Sequence, residues 1–334
     1  MIHDPPSGLR AVIAIHDTTF GPAVGGTRMR PYPSIDDAVV DALRLSRAMT
    51  YKAVMAEVAR GGGKGVILGD PATEKTRALL ATYARSVDRL GGRFHTGCDM
   101  GIDHRDVAVM ARITRHVSHT PTGSRMDTAD LAALGVLESI RAAAGLLGLA
   151  LEGLHVAVQG LGQVGYRLAR MLAAESARLT VADVDPGRVQ RAVEELGAAA
   201  VDAEAIYDVE ADVFSPNAAG SVLNDGTAPR LRCRAVVGGA NEQLAEPRHG
   251  DALHERGILY APDYVVNAGG LLSLLYEVGE AEGVIQRVRS IGARLAGLLE
   301  RSRAEGIPPH RLADRIVEER LAEARAARRR HHQT

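Results

Sequence analysis

The sequence predicts an α/β protein of two domains, an N-terminal α/β domain over residues 1–122 and a doubly wound parallel sheet over residues 123–308, with a cleft between them. Three observations carry this. The 334 residues are 46% hydrophobic with a formal charge of -1, which suits a soluble globular chain able to bury more than one core. From Leu154 a short apolar run passes into a glycine turn and an amphipathic stretch, and further apolar runs follow, each ending in small or amide residues. The first 122 residues carry a strand and a helix pattern of their own.

In the N-terminal domain the first strand is Ala11 to Ile15, leading into Gly21-Pro22-Ala23-Val24-Gly25-Gly26-Thr27-Arg28, and an amphipathic helix follows from about Ile35 to Met49. Two lysine segments come next. The chain has 40 basic residues, yet only Lys52, Lys64 and Lys75 are lysines. An amine can lose its proton when desolvated or crowded by like charge, whereas guanidinium keeps its own, so lysines retained in an arginine-rich chain mark places where an amine is needed. Lys64 stands in the glycine-rich turn Gly61-Gly62-Gly63-Lys64-Gly65. Gly25, Gly26 and Gly61 to Gly63 suit places where backbone approaches a ligand closely. The segment His95-Thr96-Gly97-Cys98-Asp99-Met100-Gly101 adds an acid between glycines, which reads equally as a capping or turn residue.

In the second domain, His155 to Gln159 is a strand, Gly160-Leu161-Gly162-Gln163-Val164-Gly165 the turn, and the stretch to Leu172 a helix. The next apolar run, Leu179 to Ala182, ends in Asp183, 18 residues beyond Gly165. Such glycines let backbone N–H groups approach a pyrophosphate at a helix N-terminus, and the acid can hold a ribose hydroxyl, so the domain is Rossmann-type and binds a dinucleotide. A carboxylate at Asp183 repels a 2′-phosphate, which favours NAD over NADP. Runs at Val213-Phe214-Ser215 before Pro216-Asn217-Ala218, at Ala235 to Asn241, and at Ile258 to Asn267 continue the sheet, so their ends should line the cofactor crevice. Asn241 and Asn267 also read as ordinary turn chemistry. The last helix, from about residue 309, returns to the first domain.

Other classes are set aside on composition. No apolar run reaches bilayer length and the N-terminus lacks the pattern of a signal peptide, so the chain is expected to be cytoplasmic, away from membranes. Cys98 and Cys233 suit small buried hydrophobes rather than a disulfide framework or a metal site. The basic stretch Arg325 to His331 reads as a frayed, solvated helix end rather than a nucleic-acid arm.

Taken together, Gly21 to Arg28, Met49 to Lys52, Gly61 to Lys64, Thr96 to Asp99, the dinucleotide turn and Ala261-Pro262-Asp263-Tyr264-Val265-Val266-Asn267-Ala268-Gly269-Gly270 resemble the glutamate, leucine, phenylalanine and valine dehydrogenase family, its leucine and valine branch above all. The resemblance runs from about Gly8 to Ala324. It implies reversible NAD-dependent oxidative deamination of an L-amino acid to its 2-oxo acid and ammonia. Lys52 would pair with the substrate carboxylate, helped by backbone around Gly25 and Gly26. Lys64 would polarise the carbonyl and activate the attacking water, a role that needs an amine able to release its proton, and Asp99 would shuttle protons. Gly160, Gly162, Gln163, Val164, Gly165, Asp183, Pro216, Asn217, Ala218, Asn241 and Asn267 would hold the cofactor, with Asn267 also near substrate.

Some positions depart from the family pattern. Ala132 stands where a threonine contacting the nicotinamide amide is usual, the loop Thr122 to Asp130 lacks its usual prolines, Asn217 replaces a common cysteine and Glu242 a common asparagine. Val24, Leu271 and Leu274 suit walls of an apolar substrate pocket, and no basic residue is evident to hold a side-chain carboxylate, which argues against glutamate. Gly97 replaces the alanine of leucine enzymes and matches phenylalanine and tryptophan relatives, so an aromatic substrate is the alternative to a leucine-like one. A non-catalytic NAD-binding homologue with a regulatory role is the reading from another class. The chain begins close to its first strand where longer relatives carry a segment that aids subunit contact, so a homodimer is expected over an octamer.

Overall fold

A computed structural model describes residues 1–117, 128–218, 220–273 and 281–331. The chain forms two compact units, Met1–Pro121 with Val317–Thr334, and Thr122–Ile316.

The first unit is built on a mixed sheet. In chain order it contains β1 (Ile2–Asp4), β2 (Leu9–Asp17), β3 (Ala23–Val24), β4 (Thr27–Arg30), α1 (Ile35–Met55), β5 (Gly61–Leu68), α2 (Arg77–Asp88), β6 (Phe94–His95) and α3 (His104–Ala111). The strand order is β1-β2-β5-β3-β6, with β4 also on β5. β2 runs antiparallel to β1 and β5, while β3 and β4 are parallel to β5. Strand periodicity sends alternate residues to opposite faces. Val12, Ala14, Val66 and Leu68 pack with Ala38 and Ala42 of α1. Leu9, Ala11 and Ile67 pack with Leu79, Tyr83 and Val87 of α2 and with Val107 and Met110 of α3.

Two elements differ from the sequence reading. The helix expected to stop at Met49 continues to Met55, since Thr50-Tyr51-Lys52-Ala53-Val54-Met55 contains no breaker and Thr50, Tyr51, Ala53 and Val54 extend its buried face. Lys52 therefore lies in the last turn of a helix. The expected turn Gly61 to Gly65 is instead the start of β5, a strand buried at all eight positions. Its glycines are explained by crowding. A Cβ at Gly62 would lie 2.1 Å from the Thr50 backbone nitrogen, and one at Gly65 1.9 Å from the Tyr83 hydroxyl.

The second unit contains α4 (Thr128–Leu146), β7 (His155–Gln159), α5 (Gln163–Ala174), β8 (Arg178–Ala182), α6 (Pro186–Leu196), β9 (Ala199–Ala200), β10 (Glu210–Pro216), β11 (Arg232–Val236), α7 (Pro247–Glu255), β12 (Leu259–Tyr260), α8 (Asp263–Val266), α9 (Gly269–Ser273) and α10 (Ala281–Glu305). Its sheet has the order β12-β11-β10-β7-β8-β9 with every pairing parallel. Numbered by appearance this is 3-2-1-4-5-6 read from β9, the doubly wound Rossmann order, whose switch point lies between β7 and β10. Their carboxyl ends pair, Gln159 beside Pro216. The run Ile258 to Asn267 is a strand for only two residues; after Pro262, Asp263–Val266 turns helical.

The last helix, α11 (Pro309–His331), contributes its residues from Val317 onward to the first unit. There Glu318 meets the Tyr51 hydroxyl, Arg320 Nη1 donates to the Val54 carbonyl at 3.2 Å, and Arg325 Nη2 donates to Asp17 Oδ2 at 2.5 Å. The basic stretch is thus anchored at Arg325 rather than frayed from its start, and Arg328 to Arg330 are exposed. Among the described residues no helix is long and apolar enough to cross a membrane. Leu274 and the loop Thr122 to Asp127 lie outside the described residues.

Candidate active site

β5 and the loop after β6 bring Lys64 and Asp99 together. Lys64 shares its strand face with Val66 and Leu68, the face that α1 covers, and only 6% of the residue is exposed. Its ammonium pairs with Asp99 Oδ2. Asp99 is held in a tight turn, exchanging backbone hydrogen bonds with Ile102, and Gly26 is what lets β4 reach it. A Cβ at Gly26 would lie 2.3 Å from the Cys98 carbonyl oxygen and 2.9 Å from Asp99 Cβ. Asp99 thus does more than turn the chain.

A second cation meets the same carboxylate. Arg28 on β4 places Nε 3.3 Å from Asp99 Oδ2 and Nη1 3.3 Å from Asp41 Oδ2 on α1. Burial pushes the Asp99 carboxyl up, but the charges of Lys64 and Arg28, with hydrogen bonds from Lys64 and the Met100 backbone, outweigh it and hold the group below the usual range. Sequence reading quoted Arg28 as part of a motif without giving it a role. An arginine two residues after Gly26 was the available signal; its partners, 13 and 71 positions away, were not readable locally.

The other residues expected around substrate fall in the same unit, except Asn267 and Leu271. Val24 is buried in β3, Gly97 is buried with its carbonyl accepting the Thr27 N–H at 2.9 Å, and Lys52 is half-buried on α1. At Gly25 the side-chain space is taken by the protein's own backbone. The Gly25 N–H donates to the His95 carbonyl at 3.1 Å, and a Cβ would lie 1.8 Å from the Gly63 carbonyl oxygen, so neighbouring backbone fills the space. The same holds for Gly61 to Gly63, where Asp17, Thr50 and Phe94 fill it.

In the second unit the glycine turn has different surroundings. Gly160 adopts φ +86°, open to glycine at little cost, and a Cβ at Gly165 would lie 1.9 Å from the Gly160 carbonyl oxygen, so the third glycine sets how closely α5 meets the turn. Around Gly162 there is open space. It is the N-cap of α5 and supplies no side-chain cap, leaving first-turn N–H groups for an anion. Gln163 is exposed, Val164 half-buried, and Ala218 sits against Gly160. Asp183, just past β8, accepts from Leu161 N at 2.6 Å and Asp185 N at 2.9 Å, with Arg188 Nη1 3.7 Å away.

Asn217 is braced internally: its Oδ1 accepts the Gly239 N–H at 2.9 Å and its Nδ2 donates to the Ser215 carbonyl at 2.9 Å. The Pro216 carbonyl likewise accepts the Ala240 N–H at 3.0 Å. Leu271 is buried in α9. Asn267 Nδ2 donates to exposed Asn241 at 3.0 Å, while Asn267 Oδ1, buried, has no hydrogen-bond partner among the described residues. An acceptor left in that state costs free energy unless a ligand donor meets it. The open Gly162 cradle and this acceptor fit a dinucleotide. Among the described residues no group of three or more His, Cys, Asp or Glu could hold a metal.

Comparison with known proteins matches this arrangement to one family. Residues 3–116 match the Glu/Leu/Phe/Val dehydrogenase dimerisation domain, and residues 186–295 match the Glutamate/Leucine/Phenylalanine/Valine dehydrogenase domain. The leucine dehydrogenase of Bacillus cereus is 45% identical over 331 residues, covering 97% of this chain and 90% of that protein. The chain belongs to the Glu/Leu/Phe/Val dehydrogenase family. The phenylalanine dehydrogenase of Thermoactinomyces intermedius is 44% identical, over 95% of this chain and 89% of that one. The solved structure of L-tryptophan dehydrogenase from Nostoc punctiforme superposes with a TM-score of 0.83 at 40% identity, covering 96% of this chain and 94% of that one. Membership makes the protein an amino acid dehydrogenase that uses a nicotinamide cofactor. Near-equal identity to leucine and phenylalanine enzymes leaves side-chain preference to the pocket.

Proposed function

We propose that this dehydrogenase catalyses the reversible oxidative deamination of a hydrophobic, leucine-like L-amino acid to its 2-oxo acid and ammonia with NAD. The observation that carries the reading is the pair of buried Lys64 and half-buried Asp99, an amine and a carboxylate in contact on a strand and a turn. When bound, NAD supplies the ring that accepts hydride from the substrate Cα. The open space at Gly162 and the first-turn N–H groups of α5 support pyrophosphate binding there. Asp183 favours NAD over a cofactor with a 2′-phosphate, and Asn267 Oδ1 would accept from a bound ligand's amide or ammonium.

Lys52 would hold the substrate carboxylate. Asp99, ionised at neutral pH because its carboxyl lies below the usual range, would accept a proton from the substrate ammonium, leaving the amine lone pair to form the imine as hydride departs. Lys64, once its ammonium has released a proton to solvent, would as the neutral amine take a proton from the water that attacks the imine carbon; the ammonium so formed would polarise the emerging carbonyl while Asp99 returns its proton to the leaving ammonia. Contact between the two gives protons a route between amine and carboxylate. Val24 and Leu271 are proposed as apolar walls, in keeping with a side chain that lacks charge.

The assembly proposed is a homodimer, supported by the match of residues 3–116 to a domain described as a dimerisation domain. A cytoplasmic site of action belongs to the same reading. Initial rates of NADH formation at alkaline pH across leucine, valine, isoleucine, norleucine, phenylalanine, tryptophan and glutamate, with Lys64→Ala alongside, test the function. Highest kcat/KM on a branched aliphatic substrate and its loss in the variant are expected. A tenfold preference for phenylalanine or tryptophan would replace the substrate, and NADH binding without turnover of any would overturn the reading. Light scattering of the purified protein decides the dimer.

A further inference from the structure

We infer that Arg28 is a positioning residue for proton transfer: bridging Asp99 and Asp41, it fixes the Asp99 carboxylate beside Lys64. The inference rests on the proposed role of Asp99 as a proton carrier and goes beyond it by naming what holds that carrier in place.

The geometry is a ladder of alternating charge within one unit. Lys64 on β5 and Arg28 on β4 converge on the same oxygen, Asp99 Oδ2. Opposite them, Asp41 Oδ2 on α1 lies 3.3 Å from Arg28 Nη1. Asp41 is 5% exposed and also meets Arg44 at 3.3 Å, Arg30 at 3.8 Å and the Tyr32 hydroxyl at 2.6 Å. On the loop side, Met100 N–H also serves Asp99, and the neighbouring Cys98 Sγ lies 3.4 Å from His104 Nδ1 of α3.

Arg28 suits this task in a way lysine could not. Its guanidinium presents separate N–H groups, Nε to Asp99 and Nη1 to Asp41, so one planar group spans two carboxylates on different elements. With its side chain 14% exposed, the cation is screened little by solvent. Lys64 is bound up in the chemistry and must change protonation during turnover, whereas Arg28 keeps its charge throughout. A fixed cation beside a working one leaves Asp99 with a constant bias towards the carboxylate. Asp41, surrounded by three arginines and a tyrosine, in turn holds Arg28 in place.

The test is a ¹³C carboxylate NMR titration of Asp99, assigned with Asp99→Asn, in wild type, Arg28→Gln and Arg28→Lys, together with kcat and KM for the amino acid. Loss of the cation in Arg28→Gln is expected to raise the Asp99 midpoint by about one unit. Arg28→Lys is expected to leave the midpoint near that of wild type but, unable to span both carboxylates, to lower kcat by about tenfold or more with KM little changed. An unmoved midpoint in Arg28→Gln overturns the inference. If Arg28→Gln does not fold, Arg28→Lys decides, and wild-type kcat in that variant overturns it equally. The titration needs no turnover, so it stands or falls separately from the choice of reaction and substrate.

Discussion

Two glycine clusters of this chain, in β5 and in the turn before α5, do opposite things. In β5 the space where side chains would stand is already taken by protein: the Asp17 carbonyl at Gly61, the Thr50 backbone at Gly62, the Phe94 ring at Gly63, the Tyr83 hydroxyl at Gly65. In the α5 turn, Gly165 is filled the same way, but Gly162 faces open space at a helix N-terminus that lacks a side-chain cap. One cluster removes side chains so that a strand can be buried on both faces. The other removes one so that something outside the protein can approach. Density of glycine in a sequence is silent on this difference; the environment of each missing Cβ decides it.

The largest expected effect falls on Lys64, the only charged residue in β5. Lys64→Ala should lower kcat by about a thousandfold or more, since it removes a proton acceptor and uncouples Asp99. Stopped-flow with the best amino acid measures it, and near-wild-type turnover would leave the strand as packing alone. Next comes Gly62→Ala, which must displace the α1 backbone and should cost about 3 kcal/mol or more in denaturant unfolding. A loss below about 1 kcal/mol would show that α1 gives way easily and would weaken the contrast. Gly162→Ala should behave in reverse, with stability changed by less than about 0.5 kcal/mol but NADH affinity about tenfold weaker by calorimetry. Equal effects on both would erase the distinction. The smallest change concerns Glu242, whose φ of +52° lies in the left-handed region that asparagine and glycine tolerate better. Glu242→Asn should raise unfolding free energy by up to about 1 kcal/mol, readable as a small rise in Tm.

These same regions separate what was legible in the sequence from what was not. The second sheet was readable because each step is local. The strand His155–Gln159, the turn, the helix and the second strand with Asp183 just after it follow within about thirty residues. Lys64 and Asp99 stood out through residue type and family resemblance. The first sheet was harder. Its pairing joins β2 to β5 and β3 to β6 across long stretches of chain, and β5 breaks the rule that strands are rich in β-branched residues because neighbours leave no room for them. Gly61 to Gly65 therefore read as a turn. The ties that the Asn217 amide makes to Ser215 and Gly239 were not readable from its place at a strand end. Arg28 and Asp41 escaped because a charge network belongs to the fold rather than to any segment.

The last helix has a consequence for how the molecule is made. Residues Val317 onward complete the first unit, through Glu318 on Tyr51, Arg320 on Val54 and Arg325 on Asp17, yet the whole second unit, Thr122–Ile316, is synthesised in between. At about 5–20 residues per second, the sheet bearing Lys64 would wait roughly ten to forty seconds on the ribosome for its final helix. During that interval the C-terminal half of α1 and the end of β2 lack their cover. The second unit, by contrast, needs only the first eight residues of α11, Pro309 to Ile316, so the order of maturation runs against the order of translation.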